Sequence, residues 1–220
     1  MNILIFGATG MVGQGVLREA LRADDVKLVQ TIGRSATGVT HAKLRDVLHA
    51  DLIDYTPVEG QLTGFDACFF CLGASTVGME ESGYTRINYE IPLAAGRVLS
   101  RLNPEMSFAY VSGAGTGSQS AMWARVKRRT EDALLALPFR AAYMFRPGVI
   151  QPLHGARSKT RLYHAFYVAT SPLLSLARRL FPAYVLSTED IGIAMLNAAR
   201  HGTPKPRLES ADIRALLSTR

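Results

Sequence analysis

A chain of 220 residues, 48% hydrophobic and 20% charged, has ordinary globular composition and enough apolar material for one sizeable core. Its formal charge of +7 favours anionic partners, a nucleotide phosphate or a nucleic acid among them, although a solvated basic surface accounts for it equally well. No RNP-type, zinc-finger or homeodomain pattern and no interleaving of aromatic with basic residues accompanies that charge, so a nucleic-acid binder is not expected.

The chain begins Met1-Asn2-Ile3-Leu4-Ile5-Phe6, with no basic segment and no cleavage pattern, which reads as a protein without a signal peptide. The apolar run Ile3–Phe6 predicts a strand covered on both faces. A helix is expected over Met11–Arg22, where Val12, Val16, Leu17, Ala20 and Leu21 fall on one stripe. Between them lies Gly7-Ala8-Thr9-Gly10-Met11-Val12-Gly13. Glycines between a strand and a helix allow a tight turn, close approach of backbone to a pyrophosphate, and close packing of helix on strand. The helix start then offers free N–H groups and the positive end of its dipole. Gly7, Thr9, Gly10, Met11, Val12 and Gly13 are therefore the expected phosphate contacts.

A second strand is predicted at Leu28–Ile32, leading into Gly33-Arg34-Ser35. NAD-binding chains usually carry an acid here, on the ribose 2′-hydroxyl. Arg34 stands in its place, and a guanidinium can fork onto a 2′-phosphate, with Ser35 as a second donor. NADP(H) is the expected cofactor, with NAD possible and a solvated loop arginine as the bland alternative. Leu44–Leu48 is the weakest strand, because Arg45 and Asp46 interrupt it.

The run Ala67–Leu72 holds both cysteines, Cys68 and Cys71. Three residues apart on a strand, they point to opposite faces, so neither a bridge nor a metal pair is expected. A helix following Ser82 carries Ile87, Ile91, Leu93, Ala94 and Val98. Further strands at Phe108–Val111 and Ala142–Phe145 flank a helix over about 120–137, stopped by Pro138. The alternating rhythm breaks over 148–182, which reads as a substrate lid or cap. Its apolar stretch Leu162–Ala177 is short for a membrane span and contains His164 and Pro172, so no membrane segment is expected. Core packing, a pocket cap and a dimer contact stay open for it. Ser187-Thr188-Glu189-Asp190 reads as a helix N-cap, and Pro204–Pro206 as a loop before a short last segment. The whole predicts a single α/β domain over 1–220, a doubly wound parallel sheet (Rossmann fold), with 148–220 as a small C-terminal substrate-side region.

The glycine spacing is G-x-x-G-x-x-G, and Gly7–Gly13 resembles the loop of atypical and extended short-chain dehydrogenases/reductases, including the epimerase/dehydratase group and the Tat-interacting-protein-like oxidoreductases. Other segments support this in chain order. Asp51 and Leu52 fall where the family contacts adenine. Leu72 and Gly73 fall where it lines the cofactor after the fourth strand. Ser112 takes the place of the serine after the fifth strand. Arg146, Pro147 and Gly148 resemble the turn beside the nicotinamide, and Arg207-Leu208-Glu209-Ser210 resembles the terminal strand. The resemblance implies hydride transfer to or from a small carbonyl or alcohol. With no signal pattern and no membrane span, the chain reads as a cytoplasmic monomer or homodimer, and no metal is expected.

That family uses Ser, Tyr and Lys, with Tyr-x-x-x-Lys on one helix face. Here Lys127 is in place, but Trp123 stands where the tyrosine belongs. An indole donates one N–H and has no proton to exchange near neutral pH. Three readings stay open. Ser112, water, Tyr84 or His154 handles the proton; the protein binds NADPH without turnover, as a sensor or regulatory partner; or the fold is a remnant serving an unknown substrate. Asn88 falls near a position where extended members carry asparagine, and a helix-surface role is the alternative.

Overall fold

The computed structural model of the chain describes residues 1–156 and 185–218. Its strands are β1 (Asn2–Phe6), β2 (Leu28–Gly33), β3 (Leu44–Leu48), β4 (Ala67–Phe70), β5 (Ser107–Val111), β6 (Ala141–Arg146), β7 (Val149–Gln151), β8 (Val185–Ser187) and β9 (Arg207–Glu209). Seven of them form one parallel sheet in the order β3-β2-β1-β4-β5-β6-β9. The strand order reverses between β1 and β4, and a crevice opens there beyond their C-terminal ends, as doubly wound sheets require.

Side-chain alternation explains why unbroken apolar runs make these strands. Ile3 and Ile5 of β1 enter one apolar layer, and Leu4 and Phe6 the other. In β4, Ala67 and Phe69 share the first layer while Cys68 and Phe70 share the second. Cys71 packs against the layer opposite Cys68, and both thiols are free. Helices α1 (Met11–Arg22) and α5 (Thr188–His201) cover the first face. Helices α3 (Ile91–Leu102) and α4 (Met122–Leu135) cover the second. A short helix α2 (Glu81–Thr85) runs into α3 through one turn of π-helix, Arg86–Glu90.

The expected N-cap at Ser187 forms. Its hydroxyl accepts from Asp190 N at 3.0 Å, and Asp190 Oδ2 accepts from Ser187 N at 2.8 Å. Helices α1 and α5 meet almost backbone to backbone. A Cβ on Gly15 would lie 2.5 Å from the Thr188 Cβ, and one on Gly192 would lie 3.0 Å from the Glu19 Cβ. The doubtful strand β3 sits at the sheet edge, where Asp46 is held by the hydroxyls of Thr31 (2.5 Å) and Thr37 (2.9 Å).

Two expectations are corrected here. Much of 148–220 is not a substrate-side cap: α5 packs into the apolar layer of α1, and β9, followed by α6 (Ser210–Ala215), extends the main sheet. Among the described residues of this region, β7 and β8 form a separate parallel pair that stands apart from that sheet. The apolar stretch Leu162–Ala177 lies outside the described residues.

The second correction concerns Arg146. Its guanidinium turns away from the crevice into an interior ion pair with the fully buried Glu131 (3.0 Å from Nε, 2.5 Å from Nη2) and reaches Glu209 at 2.9 Å. Arg207 adds a second cation 3.5 Å from Glu131. This cluster rivets α4, β6 and β9 together. Removing one partner strands a charge in the interior, which costs about 3–5 kcal/mol. Glu131→Ala is expected to lose that much stability in a denaturant titration, whereas Glu59→Ala, which breaks an exposed pair with Arg101, stays within about 0.5 kcal/mol.

Candidate functional site

The crevice is built from backbone first. Leaving β1, the chain turns at Gly7 with φ +75°, where a Cβ would lie 2.6 Å from the Leu72 nitrogen. Gly10 N donates to Gly7 O at 2.9 Å, closing the turn. A Cβ on Gly13 would lie 2.1 Å from Gly7 O, so α1 rests directly on the loop that precedes it. Gly13 is thus a spacer rather than a wall of the crevice. No side chain caps α1, and no acid lies in its first turn. Its leading N–H groups face the crevice with the positive end of the helix dipole behind them.

From Gly7, Thr9 and Gly10 the crevice runs over the end of β2, past Gly33, Arg34, Ser35 and Thr37, with Leu52, Leu72 and Gly73 forming the opposite wall. No carboxylate lines this stretch among the described residues. Asp51 lines an adjoining hollow beside Arg34, Leu52 and Ile53, and its Oδ1 accepts from Ile53 N at 2.9 Å, shaping the turn.

At the other end lies a cavity of about 590 Å³ where Met11, Val12, Gly73, Ser112, Trp123, Lys127, Pro147 and Gly148 meet. These come from five separate chain segments, which the parallel sheet gathers at one edge. Gly148 is positioned by its N–H, which donates to Ser210 Oγ at 2.8 Å. Ser112 Oγ lies 3.2 Å from Thr116 Oγ1, which itself donates to Gly113 O at 2.7 Å. The Ser112 hydrogen therefore points to Thr116, leaving the Ser112 oxygen as an acceptor. Thr116 does not stand out in the sequence; the turn-rich run Ser112-Gly113-Ala114-Gly115-Thr116 after β5 is the signal that marks it.

Trp123 and Lys127 share one face of α4, as an i, i+4 pair must. Lys127 is 8% exposed. Its ammonium donates to Val111 O at 3.1 Å and lies 4.8 Å from the centre of the Tyr110 ring. Burial lowers its pKa to about 8, although Glu131 one turn along the helix opposes the shift. Neighbouring Arg125 and Arg129 are exposed, the latter stacked on Tyr89 at 3.8 Å. Asn88 is wholly buried inside the π turn rather than on the helix surface. His154 lies elsewhere: its ring pairs with Glu189 at 2.6 Å and lines a hollow beside Gln14 and Arg18 of α1.

No protein-family model matches the chain. In three dimensions it resembles the enzyme WbmF of Bordetella bronchiseptica in complex with NAD+, with a TM-score of 0.70 and 14% identity, covering 99% of this chain and 76% of that one. It resembles the UDP-N-acetylglucosamine 4-epimerase of Methanobrevibacter ruminantium at a TM-score of 0.71 and 16% identity, covering 94% and 75%. For the short-chain dehydrogenase/reductase YIR035C of Saccharomyces cerevisiae the TM-score is 0.68 at 14% identity, covering 99% and 98%. The fold is therefore the parallel Rossmann fold shared by NAD-binding dehydrogenases/reductases and sugar-nucleotide epimerases. In sequence the chain is similar to Protein FMP52-2, mitochondrial, of Scheffersomyces stipitis, at 28% identity over 93% of this chain and 90% of that protein. It is also similar to Protein FMP52, mitochondrial, of Meyerozyma guilliermondii, at 23% identity over 90% and 85%. The expectation of cytoplasmic residence is corrected by these relatives, which are named as mitochondrial proteins. Among the described residues no helix is long and apolar enough to cross a membrane.

A buried lysine whose pKa is lowered binds its proton less tightly folded than unfolded. Between about pH 8 and the ordinary lysine value near 10.4, the unfolded chain carries the extra proton, so stability rises with pH across that window. Chemical denaturation from pH 7.5 to 10.5 should show this rise, and Lys127→Met should flatten it.

Proposed function

We propose that the protein binds NADP(H) along the crevice and transfers hydride between it and a small carbonyl or alcohol. The observation that carries this reading is the junction of an uncapped α1 start with a β2 end presenting Arg34 and Ser35 and no carboxylate. The backbone of Gly7, Thr9, Gly10, Met11 and Val12 holds the pyrophosphate. Arg34 and Ser35 hold the 2′-phosphate, and Asp51, Leu52, Leu72 and Gly73 enclose the adenosine half. Lys127 reaches the nicotinamide ribose, Pro147 and Gly148 flank the ring, and the Ser112 oxygen accepts from the hydroxyl of the alcohol form of the substrate. When bound, the reduced nicotinamide supplies two electrons as hydride; the chain supplies position, water exclusion and the proton. Gly148 and Ile150 border the substrate side.

Trp123 favours a second reading, in which the nucleotide is bound without turnover as a sensing or regulatory state, because an indole cannot exchange a proton near neutral pH. Fluorescence titration with NADPH, followed by a panel of small carbonyls, separates the two. Arg34→Ala is expected to weaken NADPH binding roughly 10- to 100-fold and to leave NADH binding nearly unchanged. Equal losses for the two nucleotides remove the 2′-phosphate role.

A further inference from the structure

The cavity that gathers Ser112, Trp123 and Lys127 has another polar group in its wall, the phenol of Tyr84. The residue is 3% exposed and its backbone is fastened on both sides. Tyr84 N donates to Glu80 O at 3.0 Å, and Tyr84 O accepts from Asn88 Nδ2 at 3.1 Å. Asn88 O in turn accepts from the hydroxyls of Thr130 (2.7 Å) and Tyr110 (3.3 Å). The π turn is thus pinned from two other elements, and it fixes where the Tyr84 ring stands. Single π turns inside α-helices often mark functional positions. The phenol oxygen itself makes no hydrogen bond to the described residues, and it is not among the sealed, unpaired atoms of the interior, as the Tyr55 hydroxyl is.

Carbonyl reduction leaves an alkoxide-like oxygen that must gain a proton. Trp123 has none to give, and the Ser112 hydrogen is committed to Thr116. We infer that Tyr84 is the proton donor of this cavity, taking over the work of the tyrosine that Trp123 displaces. This rests on the nucleotide-binding reading above. In the step, the carbonyl carbon receives hydride from the reduced nicotinamide and its π pair moves onto oxygen. The Tyr84 O–H bond breaks as the new O–H bond of the alcohol forms. The phenolate left behind recovers a proton from the Lys127 ammonium or from water. Burial pushes the Tyr84 phenol up to about 12, so it is protonated at neutral pH yet remains a far stronger acid than an alcohol.

Tyr84→Phe removes only that oxygen, so the melting temperature and the NADPH dissociation constant are expected to stay at parental values. Carbonyl reduction at saturating NADPH falls about 10²- to 10⁴-fold. Isobutyramide, which accepts a hydrogen bond but no hydride, binds the NADPH complex roughly 2- to 10-fold more weakly. Adding Trp123→Tyr to the Tyr84→Phe variant recovers at least part of the lost rate. If NADPH binds and Tyr84→Phe keeps parental turnover and amide affinity, the assignment of Tyr84 is overturned and the nucleotide reading stands. The assignment is likewise overturned if the parent binds NADPH tightly and reduces no carbonyl on the panel. A parent that binds no NADPH overturns the nucleotide reading first and the role of Tyr84 with it.

Discussion

The structure depends on one contact of backbone with backbone, the seating of Gly13 on the carbonyl of Gly7. It presses the start of α1 onto the end of β1 and aims the helix's unmatched N–H groups at the switch point of the sheet. Any side chain at position 13 would lift the helix and tilt those donors. The cost would fall on geometry rather than on apolar burial, because the layer under α1 is made by Val16, Leu17 and Ala20 further along. The glycine loop is thus a mechanical part before it is a binding part.

Charge is distributed with a similar economy. The ionic cluster of Glu131 and Glu209 with Arg146 and Arg207 balances two carboxylates with two cations away from the crevice, holding α4 against the late strand. The same helix carries Lys127 on its crevice side, one turn from Glu131. An anchored helix gives that lysine a fixed position while burial makes it a weak base. The crevice therefore has backbone dipoles and an exposed guanidinium at one end, and a desolvated amine near hydroxyls at the other.

Most of the architecture was legible because its signals are local. Apolar runs bounded by turn residues marked β1, β2, β4, β5 and β6, since a strand covered on both faces is largely apolar, whereas edge strand β3 left a weaker signal, interrupted by Arg45 and Asp46. The Ser187–Asp190 cap and the Gly7–Gly13 loop were legible for the same reason, as each depends on residues a few positions apart. Three-residue strands such as β7 and β8 escaped because they bury too little to leave a pattern. Gly15 and Gly192 escaped because close helix approach is a property of two segments far apart in sequence. Arg146 misled for a related reason: its family-like setting says nothing of the carboxylates that claim its guanidinium. Tyr84 and His154 looked alike as proton donors until the π turn set one into the cavity and the pairing with Glu189 took the other to the flank of α1.

The crossing of α1 and α5 bears on how such a molecule is made. Helix α1 is synthesised more than 160 residues before the surface it leans on, around Thr188. Contacts so distant in sequence close slowly, because the long intervening chain must first be brought round. Until α5 is made, the α1 stripe is covered by the early strands alone, and the face around Gly15 stays open to solvent and to wrong partners.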